Sequence, residues 1–297
     1  MPGRGDAEPL QAVTVILPTK ATSSRIECLY RAIRSVLSQQ NARARLVVIA
    51  NGSQCDPDLL SALARRPDLR LIHTEEGGYP AALRIGRSLV DTPFFAELDD
   101  DDELLPMALA TRVRRISLDS SIDVVVTNGF KRCDRQQTIA IRNIGSCQTD
   151  PLRRLMDNMW LVPCAALFRT ETVTSDFFAA IPAAMEWTYL GTLLALKRKI
   201  LFVDVPTFIY NRDTSDSLSR SKSYLLSTPD AIQRLLQLEL PSDIRDLVKK
   251  KHVMSLHEVS DRELAEGNVS EAWKWHLRTL THLYGWRYLP YTRHLVK

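Results

Sequence analysis

Five short segments in the first half of the chain are apolar on consecutive positions and rich in β-branched or aromatic residues. They are VTVIL (13–17), RLVVIA (45–50), LRLIH (69–73), TPFFAEL (92–98) and IDVVVTNG (122–129). A strand with one solvated face alternates apolar with polar, whereas a continuous apolar run is buried on both faces. Between these segments the period changes. RIECLYRAIRSVLSQQ carries Ile26, Leu29, Ile33, Val36 and Leu37 at helical spacing, and helices are expected over 57–66, 81–89 and 106–118. Strands that alternate with helices and are covered on both faces restrict the chain to an α/β fold. The expected architecture is a Rossmann-like, mostly parallel sheet covered by helices. Ligands of such sheets bind where the C-terminal strand ends and their loops gather.

The pattern loosens over 131–180, where CAALF (164–168) reads as a strand. MEWTYLGTLLALK (185–197) predicts a helix with Trp187, Leu190, Leu193 and Leu194 on one face. ILFVDVP (200–206) predicts a further strand and leads into the polar run YNRDTSDSLSRS (210–221). From 223 onward the chain reads as helices, and the capping-box spacing of Asn268 and Glu271 predicts a helix start just after Gly267. The expected organisation is a polar tail over 1–12, an α/β domain over 13–222 and a helical extension over 223–297.

Composition excludes several classes. A net charge of +4 is too mild, and too little clustered, for a nucleic-acid partner. Cys28, Cys55, Cys133, Cys147 and Cys164 are scattered without a CxxC pair, which predicts free thiols in a reducing compartment. MPGRGDAEPLQA lacks the apolar run of a signal peptide, and no apolar run approaches the length of a bilayer span. The expectation is a cytoplasmic protein, with any peripheral contact at the inner face of the membrane.

The strongest chemical signal is FFAELDDDDELLP (94–106), in which a buried strand delivers Asp99, Asp100, Asp101 and Asp102. Adjacent carboxylates repel, so either water or a bound cation must relieve them. A solvated acidic loop and a site for Mg²⁺ or Mn²⁺ are both open on the residues alone. Strand alternation would point Asp99 and Asp101 at one ligand and turn Asp100 and Asp102 elsewhere.

LDDDDELLP resembles the L-D-x-D-D-x-x-x-P stretch of family 2 glycosyltransferases, the GT-A fold group. Further stretches agree in order. VTVILPTK is similar to the family's first strand and AIRSVLSQQ to its first helix. VVIANGSQCD resembles its V-V-D-N-G-S-x-D, and GGYPAALRIG its glycine-rich G-x-x-x-A-R-N-x-G segment. AAMEWTYLGTLLAL resembles the E-D-W helix start, and FIYNRDTSDSLS the Y-R-x-H…S-x-S closing segment. The resemblance covers roughly 13–221. It implies an inverting, metal-dependent transfer of sugar from a nucleoside-diphosphate sugar, favoured as a UDP-sugar, to a hydroxyl of a carbohydrate or lipid-linked acceptor. Synthesis of a surface polysaccharide or glycoconjugate is the implied setting.

The same resemblance implies roles. Pro18, Thr19, Asn51, Gly78, Arg84, Asp99 and Asp100 would line the donor pocket. Asp101 would hold Mn²⁺ or Mg²⁺ and Glu186 would take the acceptor proton. For Glu186 the alternative is a first-turn glutamate favoured by the helix dipole. Asp102 would support the loop or the sugar, with a helix N-cap as the alternative. The chain departs from the family pattern at Ala50, where an aspartate is usual, at Leu83 and Arg84, where Arg-Asn is usual, and at Met185 and Glu186, where Glu-Asp is usual. Asp213 stands where the closing histidine is usual and could serve as a metal ligand, with Asp216 as its competitor.

The segment 271–297 holds Lys274, Arg278, Arg287, Arg293 and Lys297 against the single acid Glu271, together with Trp273, Trp275 and Trp286. Peripheral contact with an anionic membrane is one reading. Packing on the catalytic domain, or on a second subunit as a homodimer, is the other. His252 and His257 lack the i,i+4 spacing of a helical metal pair. Two other functional classes share much of the pattern. A sugar nucleotidyltransferase would need a glycine-rich phosphate loop where this chain reads PTKATSSR, and a degenerate transferase fold would bind without catalysis.

Overall fold

A computed structural model describes residues 11–134, 136–212 and 220–296. The chain divides into two compact units, Met1–Ile181 with Leu193–Thr214, and Pro182–Thr192 with Ser215–Lys297.

The first unit is the sheet. Strand and helix alternate as β1 (Ala12–Thr19), α1 (Ile26–Leu37), β2 (Arg43–Asn51), α2 (Pro57–Ala64), β3 (Leu69–Thr74), α3 (Tyr79–Ser88) and β4 (Phe94–Glu97). There follow β5 (Glu103–Leu104), α4 (Ala108–Ser117), β6 (Val124–Cys133), β7 (Gln136–Ile139), α5 (Pro151–Asp157), β8 (Ala166–Arg169) and α6 (Asp176–Ala179). Helix α7 (Glu186–Lys197), whose residues to Thr192 belong to the second unit, leads to β9 (Ile200–Asn211). The sheet order is β3-β2-β1-β4-β8-β6-β9-β5, with β7 on β6. Pairing is parallel from β3 through β4 and again between β6 and β9, while β8 is antiparallel to both its neighbours. The apolar runs read from the sequence form the core: Val13, Val15, Val48, Ile49, Ala96, Val124 and Val125 are fully buried. β1 lies between β2 and β4, so the strand order reverses beside it, and the C-terminal ends of β1 and β4 open the crevice that such reversals create.

Close packing fixes these ends. Gly86 of α3 rests on β1, where a Cβ would overlap the Ile16 side chain, and a Cβ on Gly129 would sit 2.6 Å from the Phe208 ring. Arg112 of α4 is fully buried and joins three strands through Thr127 Oγ1 (3.0 Å), the Ala166 carbonyl (3.2 Å) and Thr207 Oγ1 (2.7 Å). Helix α7 departs from its expected single stripe: every residue from 186 to 194 is buried.

The second unit is helical: α8 (Lys222–Leu236), α9 (Ser242–Ala265), α10 (Val269–Leu280), a 3-10 helix over Gly285–Tyr291 and α11 (Thr292–Leu295). Helix α10 starts where expected, but not through a capping box. Asn268 Nδ2 donates instead to Glu263 Oε2 (2.7 Å), and Glu271 pairs with Lys274 (2.5 Å). Among the described residues, no helix is long and apolar enough to cross a membrane.

Histidines stitch the helical unit together. The His257 ring lies 4.1 Å from Tyr288 and 4.5 Å from Tyr291, His252 meets His282 edge-on at 4.9 Å, and His276 Nε2 shares a hydrogen bond with Thr292 (2.8 Å). Burial, with His282 and Arg278 nearby, pulls His252 down from 6.5 to about 4, and burial also lowers His257 and His276. These rings are held neutral in the fold and take protons more readily in the unfolded chain. Their contribution to stability is therefore complete above pH 6.5 and falls away as pH drops from there towards about 4. The unfolding midpoint of the helical unit, followed by tryptophan fluorescence, should decline across that window. His252→Phe should flatten the decline, and an unchanged slope would contradict the assignment.

Candidate active site

β4 ends in the fully buried core and hands the chain to four carboxylates in a single turn. That turn is closed by a hydrogen bond from Asp102 N to the Asp99 carbonyl (3.1 Å). Because it is a turn, strand alternation does not hold. Asp99, Asp101 and Asp102 each offer one oxygen, all within 4.8 Å of one another. Asp100 alone points away, into an ion pair with Arg25, whose Nε lies 2.9 Å from Oδ2, and Thr19 Oγ1 donates to the same oxygen (2.5 Å). Arg25 also reaches Asp101 at 3.2 Å. Asp102 is not a helix N-cap, since Glu103 and Leu104 continue as strand β5.

The turn is braced from two sides. Asn211, at the end of β9, donates its backbone N–H to Asp102 Oδ1 (2.8 Å) and its Nδ2 to the Asp101 carbonyl (2.6 Å). Arg31 of α1 donates to the same carbonyl (2.9 Å). The Tyr79 hydroxyl, at the start of α3, contacts both Glu97 and Asp99, the latter at 2.8 Å.

Burial, reinforced by the facing carboxylates, holds Asp99 and Asp102 well above the ordinary carboxylate range. Asp102 is fully buried, and its Oδ2 makes no conventional hydrogen bond; the thiol of Cys164, a weak donor, interacts with this carboxyl. Such an orphaned oxygen beside two further hard donors fits a divalent cation. Three carboxylate oxygens are the hard donors that Mg²⁺ or Mn²⁺ takes, and the charge of such an ion would relieve their mutual repulsion.

The residues implied for the donor fall into distinct positions. Pro18 is buried within β1, and Thr19 is engaged with Asp100 and with the Ala21 N–H (2.9 Å). Asn51 Nδ2 donates to the Gly78 carbonyl (2.7 Å), which ties the end of β2 to the loop before α3. Both ends of this tie need glycine: Gly52, just after β2, and Gly78, just before α3, have φ of +101° and +102°, where a side chain is strained. Gly78 precedes Tyr79, so the tie from Asn51 and the contact to Asp99 issue from adjacent residues. Arg84 lies apart from these contacts, in an exposed ion pair with Glu76 (2.6 Å). Asp213 and Asp216 lie outside the described residues.

Glu186 belongs to the second unit. It opens α7 and is 5% exposed. Met185 before it adopts a left-handed φ of +56° and donates its N–H to the Tyr224 hydroxyl (2.7 Å), which in turn donates to Glu186 Oε2 (3.1 Å). Ser221 caps α8 by accepting from Tyr224 N (3.2 Å), which fixes the helix start that carries the tyrosine. Burial raises Glu186 to about 7, against the backbone and Tyr224 hydrogen bonds that lower it. A carboxylate so poised suits proton transfer near neutral pH.

Sequence reasoning assigned no role to Arg25, Tyr79, Asn211 or Tyr224. Tyr79 lies inside the glycine-rich segment GGYPAALRIG and Asn211 two residues before Asp213, so position offers a hint. Nothing in the pattern marks Arg25 or Tyr224.

The family model for glycosyl transferase family 2 matches residues 14–174. No curated protein matches the chain in sequence. Among solved structures, the chain is similar to residues 1–349 of TarS from S. aureus in complex with UDP-GlcNAc. The TM-score is 0.57 at 14% identity, covering 86% of this chain and 73% of that one. The same TarS fragment with UDP gives a TM-score of 0.53 at 15% identity, covering 86% and 72%. The longer TarS structure gives 0.52 at 15% identity, covering 86% of this chain and 43% of that one. The shared architecture is a GT-A-like sheet.

Removing one partner of a buried ion pair strands the other, so Arg25→Met is expected to destabilise the protein by about 3 kcal/mol. Denaturant unfolding reads this directly, and a loss below about 0.5 kcal/mol would show that Asp100 does not depend on Arg25.

Proposed function

The chain belongs to glycosyl transferase family 2, and from that premise we propose that it transfers a sugar, with inversion, from a nucleoside-diphosphate sugar to a hydroxyl group. A UDP-sugar is the favoured donor and a carbohydrate or lipid-linked molecule the acceptor, in surface polysaccharide or glycoconjugate synthesis. The observation that carries this reading is the convergence of Asp99, Asp101 and Asp102 at the C-terminal end of β4, inside the family-matched segment. The TarS fragment with a related sheet binds UDP-GlcNAc, which supports the choice of uridine.

In this reaction the acceptor oxygen bonds to the anomeric carbon of the donor from the face opposite the leaving group. The bond from that carbon to the diphosphate oxygen breaks with its electron pair, and the hydroxyl proton passes to Glu186. Asp99, Asp101 and Asp102 would hold Mn²⁺ or Mg²⁺, whose charge would offset that of the departing diphosphate. Asp100 keeps the turn in shape through Arg25 and Thr19. Asn51, Gly78 and Tyr79 support the loop against which the donor sits.

Calorimetry with UDP, GDP, CDP and dTDP in Mn²⁺ tests the donor. UDP is expected to bind most tightly, and equal binding of all four would remove the uridine assignment. Glu186→Gln should retain UDP binding while transfer falls below detection; retained turnover would eliminate Glu186 as the base.

A base that titrates near neutral pH makes the rate climb as pH rises through about 7. The Tyr224 hydroxyl stabilises the ionised form, so Tyr224→Phe should move the acidic limb of the kcat profile to higher pH, with activity recovered in alkaline buffer. A uniform loss at every pH would mark Tyr224 as purely structural.

A further inference from the structure

The last stretch of the helical unit concentrates exposed apolar side chains. Leu277, Leu283, Trp286, Leu289 and Val296 are 55%, 73%, 73%, 59% and 73% exposed, and they fall within 20 residues of one another. The 3-10 helix over Gly285–Tyr291 explains how two of them align. Its residues repeat every three, so side chains three apart share one face. Gly285, Tyr288 and Tyr291 form the inward row: Gly285 is buried, a Cβ there would overlap the Thr279 carbonyl, and both tyrosine rings lie on His257. Trp286 and Leu289 form an outward row, and Leu283 precedes them by three residues.

Charge along this stretch of the chain is one-signed, and acids of α9 meet it: Asp246 and Asp261 accept from the Tyr284 and Tyr291 hydroxyls. No acid occurs after Glu271. Lys274 is paired with Glu271 and Arg278 with Asp230 (3.5 Å). Arg287 and Arg293, both exposed, form no ion pair among the described residues. Arg287 falls between Trp286 and Leu289 in the chain and Arg293 four residues beyond, its Nε 3.4 Å from His294 Nε2, so two exposed guanidinium groups without a carboxylate partner accompany the apolar ridge and its tryptophan. Tryptophan suits the boundary between acyl chains and headgroups, and arginine suits lipid phosphates.

We propose that the Trp286–Leu289 ridge, accompanied by Arg287 and Arg293, docks the protein on the surface of a bilayer rich in anionic lipid. The ridge enters the headgroup boundary and the arginines meet phosphates. The contact is peripheral, and it does not depend on the glycosyltransferase reading.

The test uses the full chain and co-sedimentation with vesicles of phosphatidylcholine mixed with phosphatidylglycerol, against phosphatidylcholine alone. Wild type should bind the mixed vesicles and release in high salt. Trp286→Ser with Leu289→Ser should reduce partitioning by about tenfold or more. Arg287→Gln with Arg293→Gln should cost about fivefold per charge. All four positions are exposed, so circular dichroism and the unfolding midpoint should not change. The arginine pair serves as the independent variant should the apolar pair affect folding. Absence of binding to mixed vesicles, or equal binding by wild type and both double variants, overturns the proposal. So does a dimer that the apolar pair converts to monomer in sedimentation velocity while vesicles are ignored, which would assign the ridge to a second copy.

Discussion

The mutual repulsion of four consecutive carboxylates is the constraint around which the sheet unit is organised. Asp99–Asp102 emerge from a fully buried strand, with Asp100 and Asp102 buried and Asp99 and Asp101 half-buried, so bulk water screens them less than it would in an open loop. The protein relieves one of the four internally, by giving Asp100 to Arg25 and Thr19. It fixes the backbone of the turn with Asn211 and Arg31. It leaves Asp99, Asp101 and Asp102 facing one another, with one Asp102 oxygen buried and without a conventional hydrogen bond. Such an arrangement is costly unless a cation enters, which is why the site reads as a place for a ligand and not as a structural network.

Much of this was legible in the sequence. Continuous apolar strands and intervening helical periods gave the sheet its expected class, because burial on both faces leaves no other pattern. The strand ahead of Asp99 located the acidic turn at a C-terminal sheet edge. What pattern alone missed was three-dimensional. Strand alternation paired Asp99 with Asp101 and dismissed Asp102, yet the chain turns at that point and brings Asp102 inward. Spacing suggested a capping box at Asn268, but Glu263 from the preceding helix competes for its amide. Arg25 and Asn211 are 75 residues or more from the groups they hold, and no local period records such pairings. The antiparallel β8, inserted between β4 and β6, is likewise set by packing.

The helical unit holds its own buried carboxyl, Glu186. The Tyr224 hydroxyl accepts the backbone N–H of Met185, whose φ is left-handed, and donates a hydrogen bond to Glu186. Strain of this kind costs about 1 kcal/mol or more, and here it aims a buried carboxylate. Farther along, a 3-10 helix turns tyrosines inward onto His257 and so turns Trp286 and Leu289 outward. Inward order and outward exposure are two results of one threefold repeat.

The central claim is that Asp99, Asp101 and Asp102 hold a divalent ion jointly with a nucleoside diphosphate. Coupled binding is reciprocal, so whatever UDP does to Mn²⁺ affinity, Mn²⁺ must do to UDP affinity. Electron paramagnetic resonance counts free Mn²⁺ directly. We expect UDP to tighten Mn²⁺ binding by about tenfold or more, a coupling of about 1.4 kcal/mol, and Asp101→Asn to abolish that coupling. UDP affinity that is the same in Mn²⁺ and in EDTA would contradict the claim.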